Sequence, residues 1–308
     1  MTGELLTYIA ILTVSLFALL KASDFFVEAA EKIGLSFGIP PFIIGVTVVA
    51  FGTSLPELAS SIAAVVEGSS DIVIGNVVGS NIANVALVLG LVAIIGKKIK
   101  VHDTIMHTDI PLLVLSAFLL WFVVYDGKVT IFEAIFLLIA LVIFLINSLT
   151  GNEDDDEVEK PKITWQTIAM LLASAVVIKF GADYTVLGIT KLSALMGIGS
   201  AVIAQSLVAL GTSLPEVFVS IAAIKKGQTD MAVGNVLGSN IFNTYAVMSI
   251  PAFIGPLVIP PEVLQFSLPF MVALTIALAV MCISKTISRW EGSMLILFYV
   301  FFLVKLFV

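Results

Sequence analysis

The chain has 308 residues, of which 59% are hydrophobic and only 12% are charged, and its mean hydropathy is +1.14. These values lie far outside the range of water-soluble domains and predict an integral membrane protein. The net charge of −7, with few and scattered Lys and Arg, predicts no nucleic-acid partner, and the single Cys282 excludes a disulfide framework or a thiolate metal site.

Apolar runs of about 20 residues recur along the whole chain, as helices that cross a bilayer require. We predict an all-α polytopic membrane protein with ten transmembrane helices, built as two inverted five-helix repeats. The first repeat covers residues 1–149, an acidic cytoplasmic linker covers 150–163, and the second repeat covers 164–308. The ten predicted spans are 4–30, 38–66, 71–96, 108–125, 129–149, 164–190, 197–224, 230–256, 262–284 and 290–307.

A six-residue motif, GTSLPE, lies in the second predicted span at residues 52–57 and recurs unchanged at residues 211–216, an offset of 159. With that offset, 19 of the 32 positions in 53–84 match those in 212–243. Such a duplication predicts two half-sites that face each other across an internal symmetry axis. Since each half holds an odd number of spans, the second half enters the membrane from the opposite side, and the repeats are inverted.

Lys and Arg concentrate in the cytoplasmic loops of membrane proteins, so their positions predict the orientation. With the N-terminus outside, ten Lys or Arg residues fall in inner loops and three in outer segments. We therefore predict a multi-pass protein of the cell membrane with both termini outside. Lys21 and Lys179 lie within spans, shortly before Asp24 and Asp183, and are interpreted as paired or snorkelling charges.

Glu57 and Glu216 lie deep in predicted spans, where an ionised carboxylate costs several kcal/mol unless another group compensates it. Pro56 and Pro215 precede them, and because proline lacks an N–H we expect each helix to break there and free backbone carbonyls. A proline kink beside a protonated Glu is the structural alternative. The mirrored copy makes that alternative less favourable than a cation site.

A second duplicated block, GN-x-x-GSN-x-x-N, occupies residues 75–84 and 234–243. Gly75 and Gly79 allow close helix approach, while Ser80 and Asn84 share one helix face and present neutral oxygens. Small residues with Ser and Asn also serve as ordinary helix-packing contacts, which is the alternative interpretation.

The combined ligand set contains carboxylates, hydroxyls, carbonyls and amides, with no Cys or His, and it therefore favours the hard cations Ca²⁺ and Na⁺. His102 and His107 lie beside three Lys residues between spans and are interpreted as interfacial. The acidic linker is interpreted as a solvated loop in preference to a regulatory cation site.

These paired blocks resemble the two α-repeats of the Na⁺/Ca²⁺ exchanger family, within the cation/Ca²⁺ exchanger superfamily, and the ten-span layout is similar over the whole chain. The resemblance implies a central Ca²⁺ bound by the carboxylates of Glu57 and Glu216 and the carbonyls of Thr53 and Thr212. It also implies flanking sodium sites and two central amide positions. One sodium set is Ala50, Thr53, Ser54 and Ser80, the other is Ala209, Thr212, Ser213 and Ser239, and the amides are Asn84 and Asn243.

The function that this resemblance implies is Na⁺/Ca²⁺ antiport by alternating access, with Ca²⁺ and Na⁺ as substrates and the lipid bilayer as surroundings. We expect no enzymatic activity, no cofactor and no obligate protein partner. Many family members carry Asp where this chain has Asn243, so potassium coupling is in doubt and the site supplies about −2, which favours electrogenic exchange. An H⁺/Ca²⁺ exchanger is the main alternative, because two neighbouring carboxylates repel each other and invite proton competition. A cation channel is another.

Overall fold

Helices make up nearly all of the described chain, which comprises residues 2–102, 105–150, 161–195, 211 and 213–307 of a computed structural model. In chain order the helices are α1 (Thr2–Ser36), α2 (Pro41–Val66), α3 (Asp71–Gly96), α4 (Ile105–Val123), α5 (Ile131–Thr150), α6 (Trp165–Leu195), α7 (Leu214–Lys225), α8 (Thr229–Phe242, continued by Asn243–Val247 and Met248–Ala252), α9 (Val263–Cys282) and α10 (Arg289–Phe307).

Seven of these helices, α1 to α6 and α9, are long and apolar enough to cross a membrane. The other three helices differ from these seven in the part that the structure describes. Helix α7 has only 12 residues, α8 contains three Asn, and α10 contains the charged residues Arg289, Glu291 and Lys305. The chain is therefore an all-helical, multi-pass membrane protein, apart from four very short strands in the described ranges.

Five of the helices contain one π-helical segment, in which the backbone is locally widened. The segments are Gly45–Val49 in α2, Ala83–Val88 in α3, Ile105–Asp109 at the start of α4, Asn243–Val247 in α8 and Val263–Ser267 at the start of α9. At an offset of 159, the segment in α3 overlaps the one in α8, and the segment in α4 overlaps the one in α9. The duplication of the sequence thus extends to irregular backbone features.

Two antiparallel ribbons connect the loops of the two halves. Strand β1 (Lys98–Lys100) pairs with β4 (Thr286–Ser288), and β2 (Lys128–Val129) pairs with β3 (Leu257–Val258). The two ribbons correspond at the same offset of 159, because Ile99 corresponds to Val258 and its partner Ile287 corresponds to Lys128, the partner of Val258. Each ribbon therefore joins one strand from each half, and the all-α prediction did not include them.

The centre of the molecule is formed by α3 and α8, most of whose residues are buried. Helix α8 packs closely on the first half of α2 because Gly234 and Gly238 have no side chain: a Cβ at either position would collide with backbone atoms of Phe42 or Val46. This contact places α2, which contains the first GTSLPE motif, against the duplicated block of the other half, residues 234–243.

Helices α1 and α6 lie side by side at the edge of this centre. The backbone of Gly181 in α6 lies against Leu19 in α1, and the hydroxyl of Thr185 donates a hydrogen bond to Ser15 over 3.0 Å. The predicted pairing of the charges within these helices is confirmed: the Lys21 ammonium lies 3.9 Å from the Asp24 carboxylate, and Lys179 contacts Asp183.

Candidate cation-binding site

The first GTSLPE motif lies inside α2, and the expected helix break at Pro56 is wrong. The structure has an uninterrupted α-helix over Ala50–Val66, with Pro56 inside it, and the irregular backbone lies earlier, in the π-helical segment Gly45–Val49. Pro56 still lacks an N–H, so the carbonyl of Gly52, four residues earlier, loses its usual helical donor. The helix therefore loses one hydrogen bond without ending.

The second motif agrees better with the expected break. Gly211 is helical, Ser213 adopts a turn conformation with φ −88° and ψ 3°, and α7 begins at Leu214. Pro215 then occupies the first turn, where its missing N–H costs nothing, and Glu216 follows in the same turn. Thr212 and Ala209, two predicted ligands, lie outside the described residues.

Glu57 and Glu216 are both fully buried and close enough for their charges to interact. Glu216 accepts one hydrogen bond at Oε1 from the Ser54 hydroxyl, over 3.3 Å, while its Oε2 and both carboxylate oxygens of Glu57 have no hydrogen-bond partner among the described residues. The ion pairs among the described residues leave both carboxylates out. Since buried acceptors are normally satisfied, these three oxygens make this position a candidate site for a cation.

The neutral oxygens predicted around the carboxylates are buried as well. Asn84 and Asn243 are fully buried, lie in the π-helical segments of α3 and α8, and have no hydrogen-bond partner for either amide atom in the part of the chain that the structure describes. The Ser213 hydroxyl also lacks a partner within the described ranges. Ser80 lies beside Glu57.

The structure brings the hydroxyls of the two halves together. Thr53 lies 3.4 Å from Ser239, measured between their hydroxyl oxygens, and the Thr53 hydroxyl also approaches the carbonyl of Ala50 at 3.3 Å. Thr53 and Ser239 belong to different sodium sets in the resemblance, so the structure makes neighbours of residues from both sets. The assignment of each ion to its own set stays a prediction.

Sequence reasoning missed two residues of this network, Asn235 and Ser220. The Asn235 amide bridges Thr53 and Ser220, and the corresponding Asn76 donates a hydrogen bond to Ser61 over 3.0 Å. The sequence contained a signal for these residues, because Asn76 matches Asn235 and Ser61 matches Ser220 at the offset of 159. It did not indicate that each Asn is hydrogen-bonded to its Ser.

A cluster of three or more Asp, Glu, His or Cys side chains suited to a metal is absent from the described residues. The site thus consists of two carboxylates among hydroxyl and amide oxygens. Beside it, between α1, α2 and α6, lies a cavity of about 300 Å³ that reaches Thr53, Pro56 and Pro215. Its walls are mostly carbon, so it contributes few ligands.

Comparison with known proteins gives a consistent result. The family model described as sodium/calcium exchanger protein matches the chain twice, over residues 7–150 and 166–308. The sodium/calcium exchanger MaX1 of Methanosarcina acetivorans is 36% identical, over 96% of this chain and 97% of that protein. The inner membrane protein YrbG of Escherichia coli is 34% identical, over 92% of this chain and 91% of that protein.

Among solved structures, the sodium-calcium exchanger NCX_Mj soaked with Na⁺ and Sr²⁺ superposes with a TM-score of 0.85 at 31% identity, covering 96% of this chain and 97% of that one. The same exchanger soaked without Na⁺ and Ca²⁺ gives a TM-score of 0.86 at 30% identity, covering 98% of this chain and 99% of that one. Two matches to the same family model and relatives similar over nearly their full length lead to one conclusion: this chain belongs to the sodium/calcium exchanger family.

Proposed function

We propose that this chain is an antiporter that exchanges Na⁺ for Ca²⁺ across the cell membrane by alternating access around one central site. The observation that carries the proposal is the pair Glu57 and Glu216, one from each half, buried together without a basic partner among the described residues. Such a pair is costly unless a cation compensates it. The protein is a transporter and not an enzyme, and the ions are its substrates.

In this proposal, Ca²⁺ is bound by the carboxylates of Glu57 and Glu216 and by the carbonyls of Thr53 and Thr212. The Na⁺ ions use hydroxyl and carbonyl oxygens on either side, and the amides of Asn84 and Asn243 complete the centre. Burial of the carboxylates supports this assignment, as does the absence, among the described residues, of hydrogen bonds to the two amides. Its sodium ligands are Ala50, Thr53, Ser54 and Ser80 on one side and Ala209, Thr212, Ser213 and Ser239 on the other.

The same proposal includes ten membrane spans in two inverted repeats, 1–149 and 164–308, joined by the linker 150–163. Separate matches of the two halves to one family model support it, as do the two ribbons related by an offset of 159. Contacts between the two halves also join segments that are predicted to lie on the same side of the membrane. Lys226 lies 3.5 Å from Glu28, and both belong to predicted inner segments. The Ser70 hydroxyl accepts a hydrogen bond from the Val258 N–H, over 3.2 Å, and both belong to predicted outer segments.

The test of function is ion flux in proteoliposomes of the purified protein. An imposed Na⁺ gradient should drive Ca²⁺ against its own gradient, and collapse of the Na⁺ gradient should stop the flux. A Ca²⁺ flux that follows a proton gradient and ignores Na⁺ would indicate the H⁺/Ca²⁺ exchanger instead. A conductance that needs no counter-ion would indicate a channel.

Exchange is expected to be electrogenic. The two carboxylates supply about −2 because Asn84 and Asn243 are neutral, so one Ca²⁺ balances the site. Three Na⁺, the number usual in the family that the sequence resembles, would exceed it by one charge. One net charge is worth roughly 2.3 kcal/mol per 100 mV of membrane potential. A K⁺ gradient with valinomycin sets the membrane potential of the vesicles. Ca²⁺ transport should therefore be faster toward the positive side, and Ca²⁺ movement through a calcium ionophore is the reference. A flux indifferent to the imposed potential would contradict this charge balance.

The orientation is tested with two matched positions in the ribbons. After Cys282→Ser, which removes a buried thiol, Lys128→Cys should react with an impermeant maleimide added to intact cells, and Lys98→Cys should not. Both lysines are exposed strand residues, so access from one side is the difference between them. The reverse labelling pattern would invert the proposed topology.

A further inference from the structure

The ribbon of β1 and β4 carries a concentration of positive charge. With the residues that flank its strands it comprises 97–101 and 285–289, which we call the inner ribbon because both segments are predicted to lie inside. Its ten residues contain no acid and five cations, Lys97, Lys98, Lys100, Lys285 and Arg289. The carboxylate of Glu291, two residues later, accepts from the N–H and the hydroxyl of Ser288, each over 2.7 Å, and offsets one of the five charges.

The fold does not require these charges. The outer ribbon, residues 126–130 and 256–260, has the corresponding strand pairing at the offset of 159 and lies on the other side in the predicted topology. There the five cationic positions hold Asp126, Thr130, Pro256, Leu257 and Ile259. The single cation of the outer ribbon, Lys128, lies 4.0 Å from the carboxylate of Asp126. The charge of the inner ribbon therefore serves something other than strand pairing.

Two of the five cations adopt a backbone conformation that lysine disfavours. Lys97 immediately precedes β1 and Lys285 immediately precedes β4, and their φ angles are 63° and 56°. These values lie in the left-handed region, where glycine is the usual residue. Among the described residues, no other non-glycine residue has a positive φ. A cationic side chain kept at a strained position indicates that the side chain itself has a use.

The cations of the inner ribbon are exposed and available to an anion. Lys98 and Lys100 share one face of β1, and the buried Ile99 lies on the opposite face. Their α-carbons are about 7 Å apart, because each residue of an antiparallel strand advances about 3.4 Å. The ion pairs among the described residues leave out four of the five cations, Lys97, Lys98, Lys100 and Arg289.

Trp290 places the inner ribbon at the surface of the bilayer. It is 70% exposed, and the guanidinium of Arg289 lies 5.0 Å from the centre of its ring. A stripe of exposed apolar side chains runs along one face of α10 at helical spacing, formed by Trp290, Met294, Leu297, Phe301 and Val304. In a membrane protein such a stripe faces lipid, and tryptophan concentrates where the hydrocarbon meets the headgroups. The cations beside Trp290 therefore lie at the level of the headgroups.

We propose that the inner ribbon binds the anionic headgroups of phospholipids in the leaflet that it faces. Phosphate oxygens accept hydrogen bonds from ammonium and guanidinium groups, and clusters of about four to eight Lys or Arg beside a membrane helix are typical of anionic-lipid binding. The general excess of Lys and Arg in inner loops explains the side on which the charges lie. It explains neither the exposed pair on β1 nor the two strained lysines. The inference goes beyond ion exchange and is measured without transport.

The test uses the fluorescence of Trp290 as a reporter of the lipid beside the ribbon. Trp121→Phe and Trp165→Phe leave Trp290 as the only tryptophan, and this protein is reconstituted in vesicles of phosphatidylcholine and phosphatidylglycerol. Bromine on an acyl chain quenches a neighbouring tryptophan, so each lipid is brominated in turn. Brominated phosphatidylglycerol should associate at least about fivefold more tightly than brominated phosphatidylcholine, the effect of roughly one cation near an anionic surface.

Variants and salt connect this preference to charge. Lys98→Gln with Lys100→Gln should lose most of it, whereas Lys98→Arg with Lys100→Arg should keep it, because both side chains remain cationic. In the protein without these substitutions, about 1 M salt, at which the Debye length is roughly 3 Å, should weaken the preference as well.

The outer ribbon supplies the matched control. Tyr125 is an exposed aromatic residue immediately before it. Tyr125→Trp, in a protein whose three natural tryptophans are replaced by Phe, should report no preference for phosphatidylglycerol.

Each outcome decides the inference. Equal quenching of Trp290 by the two lipids would overturn it, as would a preference that survives Lys98→Gln with Lys100→Gln and 1 M salt, or one that is equally strong at position 125. A preference that appears only after the acids of residues 153–157 are replaced by Ser would identify the acidic linker as the partner of the ribbon and would also overturn it. A preference confined to Trp290 that depends on the two lysines and falls with salt would establish it.

Discussion

Glu57→Gln is expected to abolish most Ca²⁺ transport and to weaken Ca²⁺ binding well beyond the factor of ten that about 1.4 kcal/mol represents. Both oxygens of Glu57 are buried and have no hydrogen-bond partner in the described part of the chain, so the change removes half of the site's negative charge where no solvent replaces it. Glu216→Gln should have a similar effect. Calcium titration by calorimetry and flux in proteoliposomes measure both quantities.

The same substitutions should raise stability when no cation is present. A buried, unpaired carboxylate destabilises a folded protein, and two near each other destabilise it further. In chelator-treated buffer each Gln variant should therefore melt above the wild type, while losing the increase in melting temperature that Ca²⁺ gives the wild type. Glu262→Gln, an exposed carboxylate at the start of α9, is the control and should change neither. A Glu57→Gln protein that Ca²⁺ still stabilises like the wild type would exclude Glu57 as a ligand.

Much of the candidate site could be predicted from the sequence because it was duplicated. The repeated GTSLPE motif marked Glu57 and Glu216, and the structure buries them together. The backbone at the two copies could not be predicted, since the first copy lies within a continuous helix in α2, whereas in the second copy Ser213 adopts a turn conformation and α7 begins at Leu214. Local sequence is equal there, so tertiary contacts decide.

Those contacts are visible in α2. Its first half packs on Gly234 and Gly238 of α8, which supports the part of the helix that precedes the bond that Pro56 removes. The hydrogen-bond partners of Asn235 could not be predicted either, because they also depend on tertiary contacts. Thr53 is 182 residues away along the chain and Ser220 is 15 residues away. The ribbons of two or three residues are too short for an alternating pattern to indicate them.

Gly234→Ala should lower the melting temperature of the protein, whereas Gly75→Ala should not. The two glycines correspond at the offset of 159, but their surroundings differ. A Cβ at Gly234 would collide with the carbonyl of Phe42 and lie 2.9 Å from the backbone nitrogen of Val46, while a Cβ at Gly75 meets nothing within 4 Å. Backbone atoms cannot rotate away as a side chain can, so α2 and α8 must separate, at a cost of about 1–3 kcal/mol.

Gly75→Ala is the matched control, because the same change in a helix without a collision should be neutral or stabilise by roughly 0.5–1 kcal/mol. Separation of α2 from α8 also moves Thr53 away from Ser239 of α8, and a shift of α2 changes the contact of Ser54 with Glu216 of α7, so Gly234→Ala should weaken Na⁺ and Ca²⁺ binding as well. Thermal unfolding in detergent, with and without each ion, measures both effects. Equal melting temperatures for the two variants would mean that the close approach of α2 to Gly234 does not hold the site together.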